Sequence, residues 1–192
     1  MVSTRERMVI SAALLIRERG AHPTAIADVL EHSGAPRGSA YHYFPGGRTQ
    51  LLCEAIDYAG EYVASRIAKA DSGIDTLEDL VGYYREQLLR SDYRAGCPVV
   101  AVTVEAGDPA KPDVIERAAV AFARWTDLIA QRLVADGLSA ARGEELAMLI
   151  TTSIEGAIVV ARASRDVKPL DLVHGQLRAL LRAEKHRKET PR

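Results

Sequence analysis

Only two cysteines, Cys53 and Cys97, occur in 192 residues. That excludes a disulfide-stapled scaffold and fits a reducing compartment. No basic-then-apolar leader opens the sequence, and no uninterrupted apolar run reaches the roughly 18 residues of a membrane span. Neither a signal peptide nor a transmembrane segment is therefore expected, and the expected address is the cytoplasm, with no membrane partner. Fourteen glycines and eight prolines are too few for a collagen-like chain, and 47% hydrophobic residues exclude a disordered one. An excess of charge of one sign is missing too, since 25 Lys+Arg stand against 26 Asp+Glu. A protein that coats nucleic acid regardless of sequence is thereby excluded, although a balanced sum can conceal a local patch.

What is present is a helical pattern on a length that fits one domain of typical size plus a smaller one. Residues 1–48 hold six Arg against four acidic residues, net +2, and the remainder holds 19 basic against 22 acidic, net −3. This weak asymmetry marks the N-terminal segment as the place to look. Apolar positions recur at intervals of three and four nearly throughout, while period-two alternation is hard to find, so the expected fold is all-α. Caps and turn residues divide the chain into about nine helices. Ser3 or Thr4 starts the first, which sets Val9, Ala12, Ala13 and Ile16 on one face and stops at Gly20. Thr24 is expected to cap a short second helix through Ile26, Val29 and Leu30 to Ser33-Gly34, and Pro36 to occupy the first turn of a third. Pro45-Gly46-Gly47 then opens a long fourth helix. Later breaks fall at Asp71-Ser72-Gly73, Ala95-Gly96, Gly107-Asp108-Pro109, Gly137 and Lys168-Pro169. The most regular stretch, residues 139–164, reads as a bundle core or an oligomer seam. The expected division is a smaller unit over 1–48, a larger one over 49–184, and a disordered tail over 185–192.

Helix, Gly34 turn and a very short helix make the geometry of a helix-turn-helix. The third helix is about two turns long and has almost no apolar stripe, so it is kept for what it displays. Arg37 can fork onto a guanine edge, Gly38 allows the backbone to approach a groove, and Tyr41 and His42 can donate to phosphates. Arg48 adds a cation at a helix N-terminus, where backbone amides already favour an anion. Tyr43 and Phe44 are expected to be partly core.

These residues resemble the TetR family of bacterial transcriptional repressors, over about residues 5–60, through Ala12, Gly20, Gly34, the run Tyr41-His42-Tyr43-Phe44 and Leu51. Gly96-Cys97-Pro98, Glu105, Trp125 and Glu155-Gly156-Ala157 are similar to one branch of that family, associated with antibiotic-resistance and efflux regulators. The resemblance implies an all-helical homodimer, with two N-terminal heads in successive major grooves of a palindromic operator and a small-molecule pocket in each C-terminal domain. Carried over by position, Arg37, Gly38, Ser39, Tyr41, His42 and Arg48 would touch operator DNA. Two departures bear on this. Ala25 stands where many members have Thr or Ser, with Thr24 next door as a substitute contact, and the corner before Arg48 is one residue longer than the common form.

For the C-terminal part, Tyr83, Tyr84, Cys97, Phe122, Trp125 and Glu155 are the candidate lining of an effector pocket, since such pockets are apolar with a few orienting polar groups. The effector itself is unknown. Leu146, Ile150, Ile154, Ala157, Ile158, Ala161 and Leu177 are the candidate dimer seam. The five histidines show no metal-ligand spacing, and neither a metal nor a cofactor is implied. No phosphate loop, paired carboxylate with a nearby His, or nucleophile with an identifiable base supports catalysis. Two other classes stay open at this stage: a small all-helical enzyme, and a protein-binding adaptor that does not bind DNA.

Overall fold

A computed structural model describes residues 2–105 and 111–189. Among the described residues there are nine α-helices and no strand: α1 (Thr4–Arg19), α2 (Ile26–Ser33), α3 (Ser39–Tyr43), α4 (Gly47–Lys69), α5 (Gly73–Arg90), α6 (Pro98–Val104), α7 (Lys111–Ala135), α8 (Ala140–Ser164) and α9 (Lys168–Glu189). The break expected at Gly107-Asp108-Pro109 lies outside the described residues. The expected tail is helical as far as Glu189, and residues 190–192 are outside the description.

Contacts divide the chain into two compact units, and not at residue 48. The first gathers the residues up to Tyr62 with those between Arg94 and Phe122, and the second gathers Val63–Tyr93 with those from Ala123 onward. Long helices cause the difference, because α4 and α7 each continue from one unit into the other.

In the first unit, α1 begins with a reciprocal cap. The Ser3 hydroxyl accepts from the Glu6 N–H at 3.2 Å, and the Glu6 carboxylate accepts from the Ser3 N–H at 2.7 Å. Met8, Val9, Ala12, Ala13 and Ile16 turn inward as their spacing dictates. Helices α2, α3 and α6 all pack on α1. Gly60 of α4 lies so close to α7 that an added Cβ would stand 2.9 Å from that of Ala121.

In the second unit, α5, α8 and α9 pack on one another. Leu77, Leu88, Trp125, Ile129, Leu133, Leu146, Ile150 and Leu170 are buried there. Asp92, Tyr93 and Arg165 hold the left-handed conformation at the ends of α5 and α8, fastened by Arg165 Nη2 donating to Asp92 Oδ1 at 2.7 Å. By length and composition, α8 is apolar enough to cross a membrane. Its inner face, however, is buried against the neighbouring helices, as in the core helix of a bundle.

Candidate nucleic-acid interface

Gly34 ends α2 at φ +66, with its N–H directed at the carbonyls of Leu30 and Glu31. No atom lies within 4 Å of where its Cβ would stand, so the demand for glycine is conformational and not steric. Pro36 precedes α3 instead of starting it: the Ser39 N–H closes a turn onto the Pro36 carbonyl at 2.9 Å, and Gly38 takes the N-cap position. Ala40 and Phe44, each 1% exposed, anchor the inner side of this five-residue helix. The Arg5 guanidinium lies 5.3 Å from the Phe44 ring centre.

Arg37 and Gly38, in the turn that leads into α3, and Tyr41 and His42 on α3 itself are all exposed, with Ser39 half-buried. Tyr41 is 83% exposed, so its phenol contributes nothing to a core. Gly38 has φ −75 and empty space where a side chain would go, so nothing inside the chain requires a glycine there. A surface that approaches α3 closely from outside would require one.

Two candidates sit elsewhere. Thr24 is 1% exposed, and its hydroxyl donates to the Gly20 carbonyl at 2.7 Å, so it neither caps α2 nor presents an oxygen outward. The N-cap is Ala25, whose N–H is taken by the Asp28 carboxylate at 2.9 Å. Arg48 turns back onto the α1–α2 turn. Its Nε donates to the Thr24 carbonyl at 2.9 Å, and its Nη2 to the carbonyls of His22, at 3.2 Å, and Ala21. A guanidinium engaged with three main-chain acceptors is a structural tie before it is a phosphate ligand.

The same turn has a second partner, which the sequence marks only as one of the residues similar to a family branch. Glu105, just beyond α6, accepts from the N–H groups of Ala21 and His22 at 2.7 Å each. No periodicity connects positions so far apart in the chain.

In the second unit, Tyr84, Trp125 and Glu155 line one cavity with Val63, Ile67, Leu80, Ile129, Thr151 and Ile154. Its volume is about 20 Å³, room for a single water molecule. Tyr83 is absent from this lining and lies under the Arg66 guanidinium, 4.7 Å from its ring centre. Cys97 and Phe122 belong to the first unit, where Cys97 is buried at the start of α6.

The candidate seam is also displaced. Leu146, Ile150, Ile154, Ala157, Ile158, Ala161 and Leu177 are all 5% exposed or less and form the interior of the second unit, so they cannot meet another chain. The face of α8 left open carries Met148, Leu149, Thr152, Gly156, Val159 and Val160, an arc about 120° wide opposite the buried one at 100° per residue. Leu172 of α9 is likewise 60% exposed.

Residues 10–55 match the family model for bacterial regulatory proteins of the tetR family, and residues 73–176 match the model for the C-terminal domain of LmrA/YxaF-like transcriptional regulators. The chain is 64% identical over 188 residues to an HTH-type transcriptional regulator of Mycobacterium tuberculosis, covering 96% of this chain and 97% of that protein. It is 28% identical over 171 residues to the HTH-type transcriptional regulator LmrA of Bacillus subtilis, covering 87% and 90%. Among solved structures, a regulatory protein TetR from Rhodobacter sphaeroides has the same fold, with a TM-score of 0.78 at 23% identity over 92% of this chain and 98% of that one.

Proposed function

The chain belongs to the TetR family of bacterial transcriptional regulators, DNA-binding helix-turn-helix proteins and not enzymes, and from that premise we propose that it is a repressor. It occupies a palindromic operator as a homodimer in the cytoplasm and leaves when a small lipophilic effector binds. The observation that carries this reading is the outer side of α3 with the turn that leads into it, where Arg37, Tyr41 and His42 stand exposed around a glycine the fold does not need. Arg37 supplies the fork for a base edge, and Tyr41, His42 and Ser39 supply phosphate contacts. Two such helices related by a two-fold axis read half-sites one helical turn apart, roughly 34–36 Å, or a multiple of it.

The open apolar face of α8 is the surface that supports dimerisation, and Leu172 of α9 is exposed as well. Gly156 permits a close approach of helices there.

The cavity beside Tyr84, Trp125 and Glu155 supports the effector site. Ligand pockets occupy about 300–1,000 Å³, so at about 20 Å³ this cavity must widen before an effector fits. An effector can then shift DNA affinity only through its preference for the widened form, and coupling of this kind is typically about 5- to 150-fold. Helix α4 supplies both Arg48 at its start and the cavity residues Val63 and Ile67 near its end, which makes it the lever.

The test is binding of the purified chain to the DNA upstream of its own gene at two salt concentrations, beside a variant carrying Arg37→Ala and Tyr41→Ala. Tight, salt-sensitive binding lost in the variant is expected. Selection from random DNA that recovers no palindromic site would refute the reading.

A further inference from the structure

The turn between α1 and α2 can be accounted for group by group. The Gly20 N–H donates to the Ile16 carbonyl at 2.8 Å, and the Thr24 N–H to the Ala21 carbonyl at 2.9 Å. Pro23 has no N–H. The remaining donors, on Ala21 and His22, both go to the Glu105 carboxylate, one to each oxygen. The turn's acceptors are held as well, since the carbonyls of Ala21, His22 and Thr24 all accept from Arg48. The α6 segment is also fastened at its near end, by the Gly96 N–H donating to the Arg17 carbonyl at 2.9 Å. Helix α2 starts two residues after Thr24 and delivers the chain through Gly34 into α3.

We infer that Glu105 is a positioning residue for DNA binding: Glu105 takes the donors of the α1–α2 turn and Arg48 its acceptors, and together they clamp the turn and so fix the direction in which α2 presents the recognition helix. The inference rests on the DNA-binding reading above. A carboxylate offers one acceptor oxygen to each amide, and charge-assisted bonds of this kind are short and directional. A carboxamide of the same size offers one oxygen and one donor, so Glu105→Gln leaves an N–H facing an NH₂. Room for the carboxylate comes from Gly20, whose Cβ, if present, would stand 2.8 Å from Glu105 Oε1. Gly20→Ala therefore attacks the same clamp, and it also strains the turn itself, because Gly20 holds φ +89. Helix α6 thereby acquires leverage over the reading head without touching DNA.

The experiment begins with selection of a binding site from random DNA by the parent chain. Affinities for that site are then measured for Glu105→Gln, Arg48→Lys, their double variant and Tyr41→Phe, with amide hydrogen exchange at Ala21 and His22 and thermal melting alongside. Glu105→Gln is expected to bind about 10- to 100-fold more weakly, with faster exchange at those two amides and unchanged helix content. Arg48→Lys, which keeps the charge but not the fork, should lose affinity as well. The double variant should lose less than the product of the two, because both act through one turn, whereas Glu105→Gln and Tyr41→Phe should combine independently. A parent that selects no DNA refutes the DNA-binding reading itself. A parent that binds while a folded Glu105→Gln binds equally well, whether or not the exchange changes, overturns the clamp alone. If Glu105→Gln does not fold, Arg48→Lys and Gly20→Ala decide, and undiminished binding by either of them overturns it.

Discussion

Placing one charge on the open face of α8 should dissociate the dimer while leaving the protomer folded. Val160 is 53% exposed, so about half of its side-chain area is available to a partner, worth about 1 kcal/mol on burial. In a two-fold interface every substitution acts twice, so Val160→Glu forfeits about 2 kcal/mol of apolar burial. It also brings two unpaired carboxylates into the seam, and each retains a penalty of about 1–3 kcal/mol even where water partly reaches it. The sum, about 4 kcal/mol or more, is roughly a thousandfold in the dimer dissociation constant. Gly156→Arg makes the same point sterically, since its Cβ would meet nothing within 4 Å in the protomer and the helix gains a better former. Ile154→Ala, 3% exposed, is the opposite control. It should lower protomer stability by about 2–5 kcal/mol and leave the seam intact. Sedimentation velocity over a dilution series, with circular dichroism for the fold, reads both quantities. If Val160→Glu and Gly156→Arg stay dimeric at every concentration where the parent does, the α8 face is not the seam.

Within the reading head, Arg37→Ala should relax base preference in a selection experiment, while Tyr41→Phe should lower affinity evenly across sequences; an unchanged preference would reduce Arg37 to a phosphate anchor. Trp125, 2% exposed beside the cavity, should cost about 3–5 kcal/mol when replaced by Ala, and a melting temperature within a degree of the parent's would contradict that. Burial pushes the Cys53 thiol above its usual range, ahead of the opposing effect of the Arg117 charge. Less thiolate is then present at neutral pH than in the unfolded chain, so iodoacetamide should alkylate Cys53 more slowly in the native protein than after denaturation. Equal rates would show that the site is open.

How much of the head could be read in advance is clear from Gly34 and Tyr41. A left-handed stop after Ser33 is a demand of one residue on its own backbone, and an aromatic beside His42 on a helix too short for an apolar stripe leaves little to do except face outward. The inward turn of Thr24 and Arg48 was not legible in the sequence for the same reason that the role of Glu105 was not. Each is defined by the α1–α2 turn, and the turn's partners come from positions 48 and 105, with 83 and 84 residues separating Glu105 from the amides it holds. In α8 the pattern was legible but its sense was reversed. The helix is apolar on two sides, and periodicity finds both without saying which one faces inward.

The sequence by itself determined the all-α class, the helix boundaries near Gly20, Gly34 and Gly137, and the helix-turn-helix with its exposed aromatic and cationic residues, because each of these is set by neighbours within a turn or two of chain. Only the tertiary structure decided that the bulkier face of α8 is core and the lighter one open, that the cavity beside Trp125 has room for about one water molecule, and that Arg48 and Glu105 hold a turn. Packing density and the pairing of buried polar groups settle those choices, and both depend on residues that meet only after the chain has folded.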